Sequence, residues 1–217
     1  MSQVTNTIRT LRYELTFREL DKKTMNRNPF LQFESWMNDA LQAGAAEANA
    51  MTLATVGKNG YPDARIVLLR GVDKNGFSFF TNYKSKKGHD IDYSNKACLN
   101  FFWNELSRQV RITGKMKKLS FKDSEAYFHS RPRESQVGAW ASAQSEKITN
   151  REMLEKQFAL YEKKFDGKEV PCPPHWGGYI LAPVKIEFWQ GRVNRLHDRI
   201  VYLKDKGGKW NVERLSP

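Results

Sequence analysis

Little in this chain points to a secreted, membrane-spanning or hydrolytic protein. Its 217 residues include two cysteines, Cys98 and Cys172, and neither belongs to a CxxC pair. Two such residues cannot make a disulfide framework, so a reduced, cytoplasmic setting is the expectation. No apolar run reaches the roughly 18 residues that a membrane helix needs. The opening MSQVTNTIRTLRYEL lacks the apolar stretch of a signal peptide. The four histidines, His89, His129, His175 and His197, fall in no HExxH or HxE spacing, and no metal site is expected. GxSxG, Walker and GxGxxG motifs are missing too, so nucleophilic hydrolysis, P-loop phosphoryl transfer and Rossmann dinucleotide binding have no positive sign. There is no internal repeat, low-complexity tract or linker-like segment.

Acidic residues are the other shortage: 24 Asp and Glu stand against 36 Lys and Arg, a net charge of +12. Such an excess favours anionic partners, whether nucleic acid, a membrane surface or phosphorylated small molecules. The plainer alternative is a solvated basic surface. With 40% apolar and 28% charged residues, the chain is globular and long enough to bury a full core.

Residues 3–20 carry Ile8, Leu11 and Leu15 at helical spacing and are expected to form an exposed amphipathic helix. Asn28-Pro29 starts a second helix, with Asn28 as cap and Phe30, Phe33, Met37 and Leu41 as its apolar stripe. The small-residue stretch AGAAEANA connects it to MTLATVG, ARIVLLRGV, FSFFTN, ACLNFFW and QVRITGKM, which alternate or run apolar as strands do. Lys58-Asn59-Gly60 and Asp73-Lys74-Asn75-Gly76 are hairpin turns between them. SKKGHDIDYSN reads as a short helix. Helices return at Ser120, capped with Asp123, with a break at Pro132 and a further short helix beyond it. Thr149 and Glu152 form a second capping box ahead of Leu154, Phe158, Tyr161 and Phe165. GGYILAP, KIEFWQ, RIVYL and KWNVERL close the chain as strands, with Lys206-Gly207-Gly208 as a turn. Strands on both sides of a helical insertion suggest one mixed, mainly antiparallel β-barrel with helical decoration.

Four basic clusters carry the chemistry. In Arg65-Ile66-Val67-Leu68-Leu69-Arg70 a cation stands near each end of a strand and could meet a ligand at a barrel rim; taken alone, the segment is better explained by edge protection by charge. Thr81-Asn82-Tyr83-Lys84-Ser85-Lys86-Lys87-Gly88 joins hydroxyls and ammonium groups to a helix start, a phosphate cradle or a solvated loop. Tyr127 to Gln136 sets Arg131 and Arg133 around Pro132. Tyr127 and Arg131 share a helix face if the turn continues that far. Trp189 to Arg199 gathers an indole, guanidinium groups, His197 and Asp198 between two strands, enough to surround a flat anion. Together the clusters indicate binding of phosphorylated, aromatic small molecules. They name no reaction.

The strings RIVLL, FFTN with SKK, RQVRITG, YFHSRPRESQVGAWAS with QS, WGGY, EFWQG and NRLHDR resemble the pyridoxine (pyridoxamine) 5′-phosphate oxidase family. They occur in the family's order from about residue 30 to the C-terminal RLSP. SRPRESQ, EFWQG and RLHDR are the most specific of them. The resemblance implies an FMN-binding split β-barrel with surrounding helices over 28–217, an N-terminal helical or lid segment over 1–27, and a homodimer with FMN at its interface. It implies oxidation of pyridoxamine 5′-phosphate or pyridoxine 5′-phosphate to pyridoxal 5′-phosphate, with oxygen as acceptor, and no nucleic-acid or membrane partner.

Carried over by position, Arg65, Ile66, Val67, Leu68, Leu69, Arg70, Phe80, Thr81, Lys86, Lys87 and Gln109 are expected around FMN. Gln144, Ser145, Trp189 and Arg199 are expected there from the partner subunit. Tyr127, Arg131, Ser135 and Arg70 match the substrate-phosphate clamp. Arg195, Leu196 and His197 match residues beside the pyridine ring, with Arg195 and His197 in the catalytic roles. Arg12 matches a lid residue that reaches the substrate. The family usually has Lys at Arg70 and Arg at Lys86, and Tyr13 and Leu15 depart from its LRREY lid string. A split-barrel flavin reductase or non-catalytic FMN binder is the rival within the fold, and a nucleic-acid-binding module the rival outside it.

Overall fold

The computed structural model describes residues 19–217. The helix expected over 3–20, but for its last two residues, and Arg12 lie outside the described residues. The chain divides into two compact units. The larger comprises Asn49–Phe101 and Arg111–Lys185. The smaller comprises the described part of Met1–Ala48 with Phe102–Val110 and Ile186–Pro217. Reading 28–217 as a single domain does not separate them.

The first element of the smaller unit is helix α1 (Pro29–Gln42). Asn28 caps it by accepting from the Phe30 N–H, and Pro29 occupies its first turn, as the sequence suggests. The buried stripe differs from the expected one: Trp36 and Ala40 are buried in place of Met37 and Leu41, which is 60% exposed. Trp36 sets the rotation. Its ring lies edge-on to Phe188 at 5.1 Å and beneath the Arg108 guanidinium at 4.4 Å.

In the larger unit β1 (Ala50–Val56) pairs antiparallel with β2 (Pro62–Leu68), setting Leu53 opposite Arg65. The run ARIVLLRGV is therefore not one strand: it breaks at Leu69-Arg70 and resumes as β3 (Gly71–Asp73), which turns into β4 (Gly76–Asn82). Helix α2 (Lys86–Tyr93), capped by Ser85, leads to β5 (Lys96–Trp103) and β6 (Arg108–Lys118). Helices α3 (Phe121–His129), α4 (Arg133–Ala141) and α5 (Arg151–Lys164) follow. Ser120 caps α3 as expected. The cap of α5 is Asn150, which accepts from Met153 N at 3.0 Å; the Thr149–Glu152 box does not form. Glu152 pairs instead with Lys156, one turn on, at 2.8 Å.

The last long strand, β7 (Trp176–Gln190), is one element of 15 residues where two were expected. Its pairing with β4 ends at Leu181, so Pro183 removes no bond to that neighbour. The larger unit's sheet runs β2-β1-β5-β6-β7-β4-β3. In the smaller unit β8 (Asp198–Lys204) pairs with β7 and with β9 (Trp210–Leu215), turning at Lys206-Gly207-Gly208.

Phe33, Trp36, Trp103, Val110, Phe188, Ile200 and Tyr202 form the core of the smaller unit. In the larger, Leu53, Phe77, Phe79, Leu99, Ile112, Tyr179 and Leu181 are fully buried within the sheet. A second cluster gathers Phe128, Val137, Phe165, Val170, Cys172 and Trp176. Burial there pushes the Cys172 thiol up to about 11.

Asn150→Ala should destabilise the protein by about 0.5–2 kcal/mol, as loss of an N-cap does, and Thr149→Ala by clearly less. Urea unfolding of the two variants measures the difference; a larger loss at Thr149 would restore the capping box.

Candidate functional site

A cavity of about 500 Å³ opens in the larger unit. Arg65, Ile66, Val67 and Leu68 of β2 and the following Arg70 form one side of it. Phe80 and Thr81 of β4 and Lys87 of α2 form another. The α3–α4 turn and helix α4 contribute Tyr127, Arg131 and Ser135, and the segment after α4 contributes Gln144. Helix α3 stops at His129, so Arg131 is not on its face. Backbone bonds from Ser130 to Tyr127 and from Arg131 to Phe128 form a tight turn that still delivers Arg131 to the cavity.

Local sequence accounts for this assembly. Period-2 alternation sends Arg65 and Val67 to one face of β2 and leaves Ile66 64% exposed on the other. Pro132 has no N–H to continue α3 and begins α4 with extended ψ, so two short helices meet at a corner. Gln136 Nε2 fastens that corner by donating to the carbonyls of Arg131 at 2.8 Å and His129 at 3.3 Å. A Cβ on Gly177 would lie 2.1 Å from the Tyr83 hydroxyl, so the WGGY glycines let Tyr83 sit against β7.

Two kinds of cation line the cavity. Arg65 is held on its protein side: Nη1 donates to Thr55 Oγ1 at 2.7 Å and to the Leu53 carbonyl at 3.1 Å, while Nη2 pairs with Asp63 at 2.7 Å. Thr55 donates in turn to the buried Asp90 carboxylate at 2.9 Å. Lys86, expected at a phosphate, is not among the cavity-lining residues. It bridges Asp63 at 3.1 Å and Asp90 at 3.2 Å, and these contacts raise its pKa. Its hydrogen bond lowers the pKa of Asp63, helped by the charge of Arg65. Lys87 has no carboxylate at contact distance among the described residues. Its Nζ approaches Gln144 Oε1 at 3.1 Å, and burial, then the Arg65 charge, lowers its pKa. Arg131 is lowered chiefly by burial, with the charge of Arg70 acting in the same sense. Each of these pairs of like charges would be relieved by an anion between them.

Gln144 was expected from a partner subunit. It reaches the cavity of its own chain, accepting from Thr81 Oγ1 at 3.0 Å and from Lys87, because the segment after α4 folds back toward β4. Leu69 is buried, and Ser145 lines a neighbouring cavity of about 630 Å³.

Gln109, Trp189, Arg195, Leu196, His197 and Arg199 belong to the smaller unit. There the Trp189 and His197 rings lie 4.6 Å apart. His197 Nδ1 accepts from the Arg192 N–H, which leaves Nε2 as the ring nitrogen on the other side. Asn194 and Arg195 hold left-handed backbone, φ 55° and 60°, which non-glycine residues rarely adopt. Arg199 is engaged by the buried Glu187 and by the Ser216 carbonyl. Asp198, read as a support for the fourth cluster, pairs with Arg214 and accepts from the Leu20 N–H.

Sequence reasoning missed Gly138, Ala139, Ser142 and Trp176 as lining residues. Trp176 had a signal, the WGGY string, but nothing in the string tells a core indole from a cavity wall.

The donor set suits a flat ligand carrying phosphate. Arg131 Nη1 is buried with no hydrogen-bond partner among the described residues, and polar groups left so are normally satisfied by a ligand or water. Aromatic faces of Phe80, Tyr127 and Trp176 adjoin it.

The fold is that of a split-barrel protein, and the cations and rings of its cavity would suit a phosphorylated aromatic ligand. Residues 37–164 match the family described as pyridoxamine 5′-phosphate oxidase, and residues 176–217 the pyridoxine 5′-phosphate oxidase C-terminal dimerisation region. The chain belongs to the pyridoxine/pyridoxamine 5′-phosphate oxidase family, a family of oxidoreductases. It is 53% identical over 208 residues to the pyridoxine/pyridoxamine 5′-phosphate oxidase of Cytophaga hutchinsonii, covering 95% of this chain and 97% of that one. It is 51% identical over 214 residues to that of a Cyanothece species, covering 99% and 100%. Among solved structures, PhzG from Burkholderia lata, in complex with tetrahydrophenazine-1-carboxylic acid, is similar at 28% identity and TM-score 0.86, covering 93% of this chain and 99% of PhzG. A pyridoxamine 5′-phosphate oxidase-related, FMN-binding protein from Nostoc punctiforme shares the fold at 18% identity and TM-score 0.69, covering 89% and 100%.

Thr55→Val keeps the shape but strips the hydroxyl from between Arg65 and Asp90, both largely buried. Stability should fall by about 1–3 kcal/mol, the cost of leaving such groups unsatisfied, as read from the urea midpoint. An unchanged midpoint would mean that Arg65 and Asp90 do not depend on it.

Proposed function

We propose that this protein is an FMN-dependent oxidase that converts pyridoxamine 5′-phosphate or pyridoxine 5′-phosphate to pyridoxal 5′-phosphate, thereby serving vitamin B6 salvage. Oxygen is reduced to hydrogen peroxide, and the amine substrate releases ammonia. The observation that carries this reading is the pairing of cations in one cavity. Arg65 with Lys87 and Arg70 with Arg131 are two cationic pairs, suited to two phosphate groups, one of a cofactor and one of a substrate. Identity near 50% to oxidases of this name, over almost the whole chain, favours the oxidase over a flavin reductase or a binder without activity. The match of residues 176–217 to a dimerisation region supports a homodimer. Two free thiols suit a reducing, cytoplasmic compartment.

FMN, when bound, would supply an acceptor for hydride from the 4′ carbon of the substrate and a path for the electrons to oxygen. The chain's own part is position and charge. Arg65, Lys87, Thr81 and Gln144 would hold the phosphate end of FMN, with Ile66, Val67, Leu68 and Phe80 along its body. Tyr127, Arg131, Ser135 and Arg70 would clamp the substrate phosphate, fixing the pyridine ring for transfer. By resemblance, Arg195 and His197 orient that ring and stabilise charge at the reacting carbon. With Nδ1 taken by the Arg192 N–H, the Nε2 side of His197 would face that ring.

The purified protein should be yellow, and its flavin absorbance near 450 nm should bleach when pyridoxamine 5′-phosphate is added under nitrogen and return with air. A colourless protein that also fails to take up FMN, or a bound flavin that does not bleach, would refute the assignment.

Arg70 is exposed and lies 5.9 Å from the Tyr127 ring centroid, within reach of the substrate clamp. A guanidinium can bind two phosphate oxygens at once where Lys binds one. Arg70→Ala should raise the half-saturating concentration of pyridoxamine 5′-phosphate by roughly 10- to 150-fold, with a much smaller effect on the limiting rate of flavin reduction. Arg70→Lys should fall between the two. Stopped-flow reduction across substrate concentrations distinguishes them; an unchanged Arg70→Ala would mean that the residue only packs at the rim.

A further inference from the structure

Arg131 is held differently from Arg65, another arginine that lines the cavity. No carboxylate pairs with it among the described residues, and its Nη1 is buried without a hydrogen-bond partner. Its guanidinium instead stands 4.6 Å from the Trp176 ring centroid and 5.7 Å from that of Phe128. An aromatic face attracts a cation through its quadrupole and consumes no N–H in doing so. At Arg65, by contrast, Thr55 and the Leu53 carbonyl take hydrogen bonds from Nη1 while Asp63 forms an ion pair with Nη2.

We propose that Trp176 is a positioning residue for Arg131: its indole face holds the guanidinium in the cavity and leaves the donors free for the phosphate of the substrate. This deepens the reading above and rests on it for the identity of the phosphate ester. Trp176 is itself fixed on several sides. Its ring is stacked at 5.6 Å and 13° with Phe80 and at 6.3 Å and 5° with Tyr127, and Phe128 meets it edge-on at 5.2 Å. Its backbone pairs with Asn82 in β4. Since Gln136 fastens the Arg131 carbonyl, the arginine is located at both its backbone and its charged end. The same indole lines the cavity, so the aromatic support and the phosphate clamp share one wall.

The test is a double-mutant cycle in the FMN-loaded protein: parent, Trp176→Phe, Trp176→Leu, Arg131→Ala, and Arg131→Ala with Trp176→Leu. The readout is the dissociation constant for pyridoxal 5′-phosphate, with pyridoxal as the control lacking phosphate. Trp176→Leu should weaken pyridoxal 5′-phosphate by roughly 3- to 30-fold, Trp176→Phe by less, and pyridoxal should be unaffected. In the Arg131→Ala background Trp176→Leu should add nothing, because the interaction it removes is already gone. Equal weakening of both ligands, or a full Trp176→Leu effect without Arg131, would overturn the proposal. If Trp176→Leu does not fold, Trp176→Phe decides by the same comparison of the two ligands. The titrations involve no turnover, so they judge Trp176 even if the parent fails to oxidise pyridoxamine 5′-phosphate, a failure that would count against the proposed activity alone.

Discussion

The cavity depends on the register between β4 and β7. Pairing Phe80 with Gly178, Thr81 with Gly177 and Asn82 with Trp176 brings a cavity-facing ring, a hydroxyl and an indole to one strand end. A slip of one residue by either strand would send that strand's side chains to the opposite face and part Phe80 from Trp176. The two glycines serve that register, because a side chain at either would meet Tyr83, or Leu119 and Phe80. Phe80 can then stack with Tyr127 at 3.9 Å, and this ties the α3–α4 corner to the sheet. The clamp residues Tyr127, Arg131 and Ser135 inherit their placement from that contact.

Concentrating positive charge in a partly dry cavity is unfavourable, and the fold answers it in two ways. Around Arg65 it uses anions: Asp63 and the buried Asp90, with Lys86 drawn into the same network. Around Arg131 it uses aromatic faces. Anions stabilise more strongly but occupy donors. Ring faces stabilise less and leave donors open. Among the described residues Lys87 has neither at contact, and burial with the Arg65 charge lowers its pKa.

Much of this was legible in the sequence, and what was not has identifiable causes. Asn28-Pro29, Ser120 and the Asn-Gly turns announced their elements because caps and turns are local chemistry. So did the basic clusters at Arg65, Lys87 and Arg131, which the structure brings to one cavity. The stripe of α1 was misread because Trp36 turns the helix toward Phe188 and Arg108, partners distant in sequence. A break in β7 was wrongly expected at Pro183, where the pairing with β4 has already ended and the proline costs no bond to that strand. Lys86 and Lys87 look alike as letters. Only the positions of Asp63 and Asp90 send one to the carboxylates and the other to the cavity. Gln144 could not be assigned to its own chain's cavity until the return of the segment after α4 was seen.

Cys172 sits in the cluster that backs Trp176, 7% exposed, with its thiol raised to about 11. Peroxides oxidise thiolates, and a group with that affinity for its proton is ionised in roughly one molecule in ten thousand at neutral pH. In a protein proposed to generate hydrogen peroxide beside this wall, a sulfur kept protonated and dry is nearly inert. The same burial that completes the aromatic cluster thereby shields its one oxidisable thiol from the reaction's own by-product.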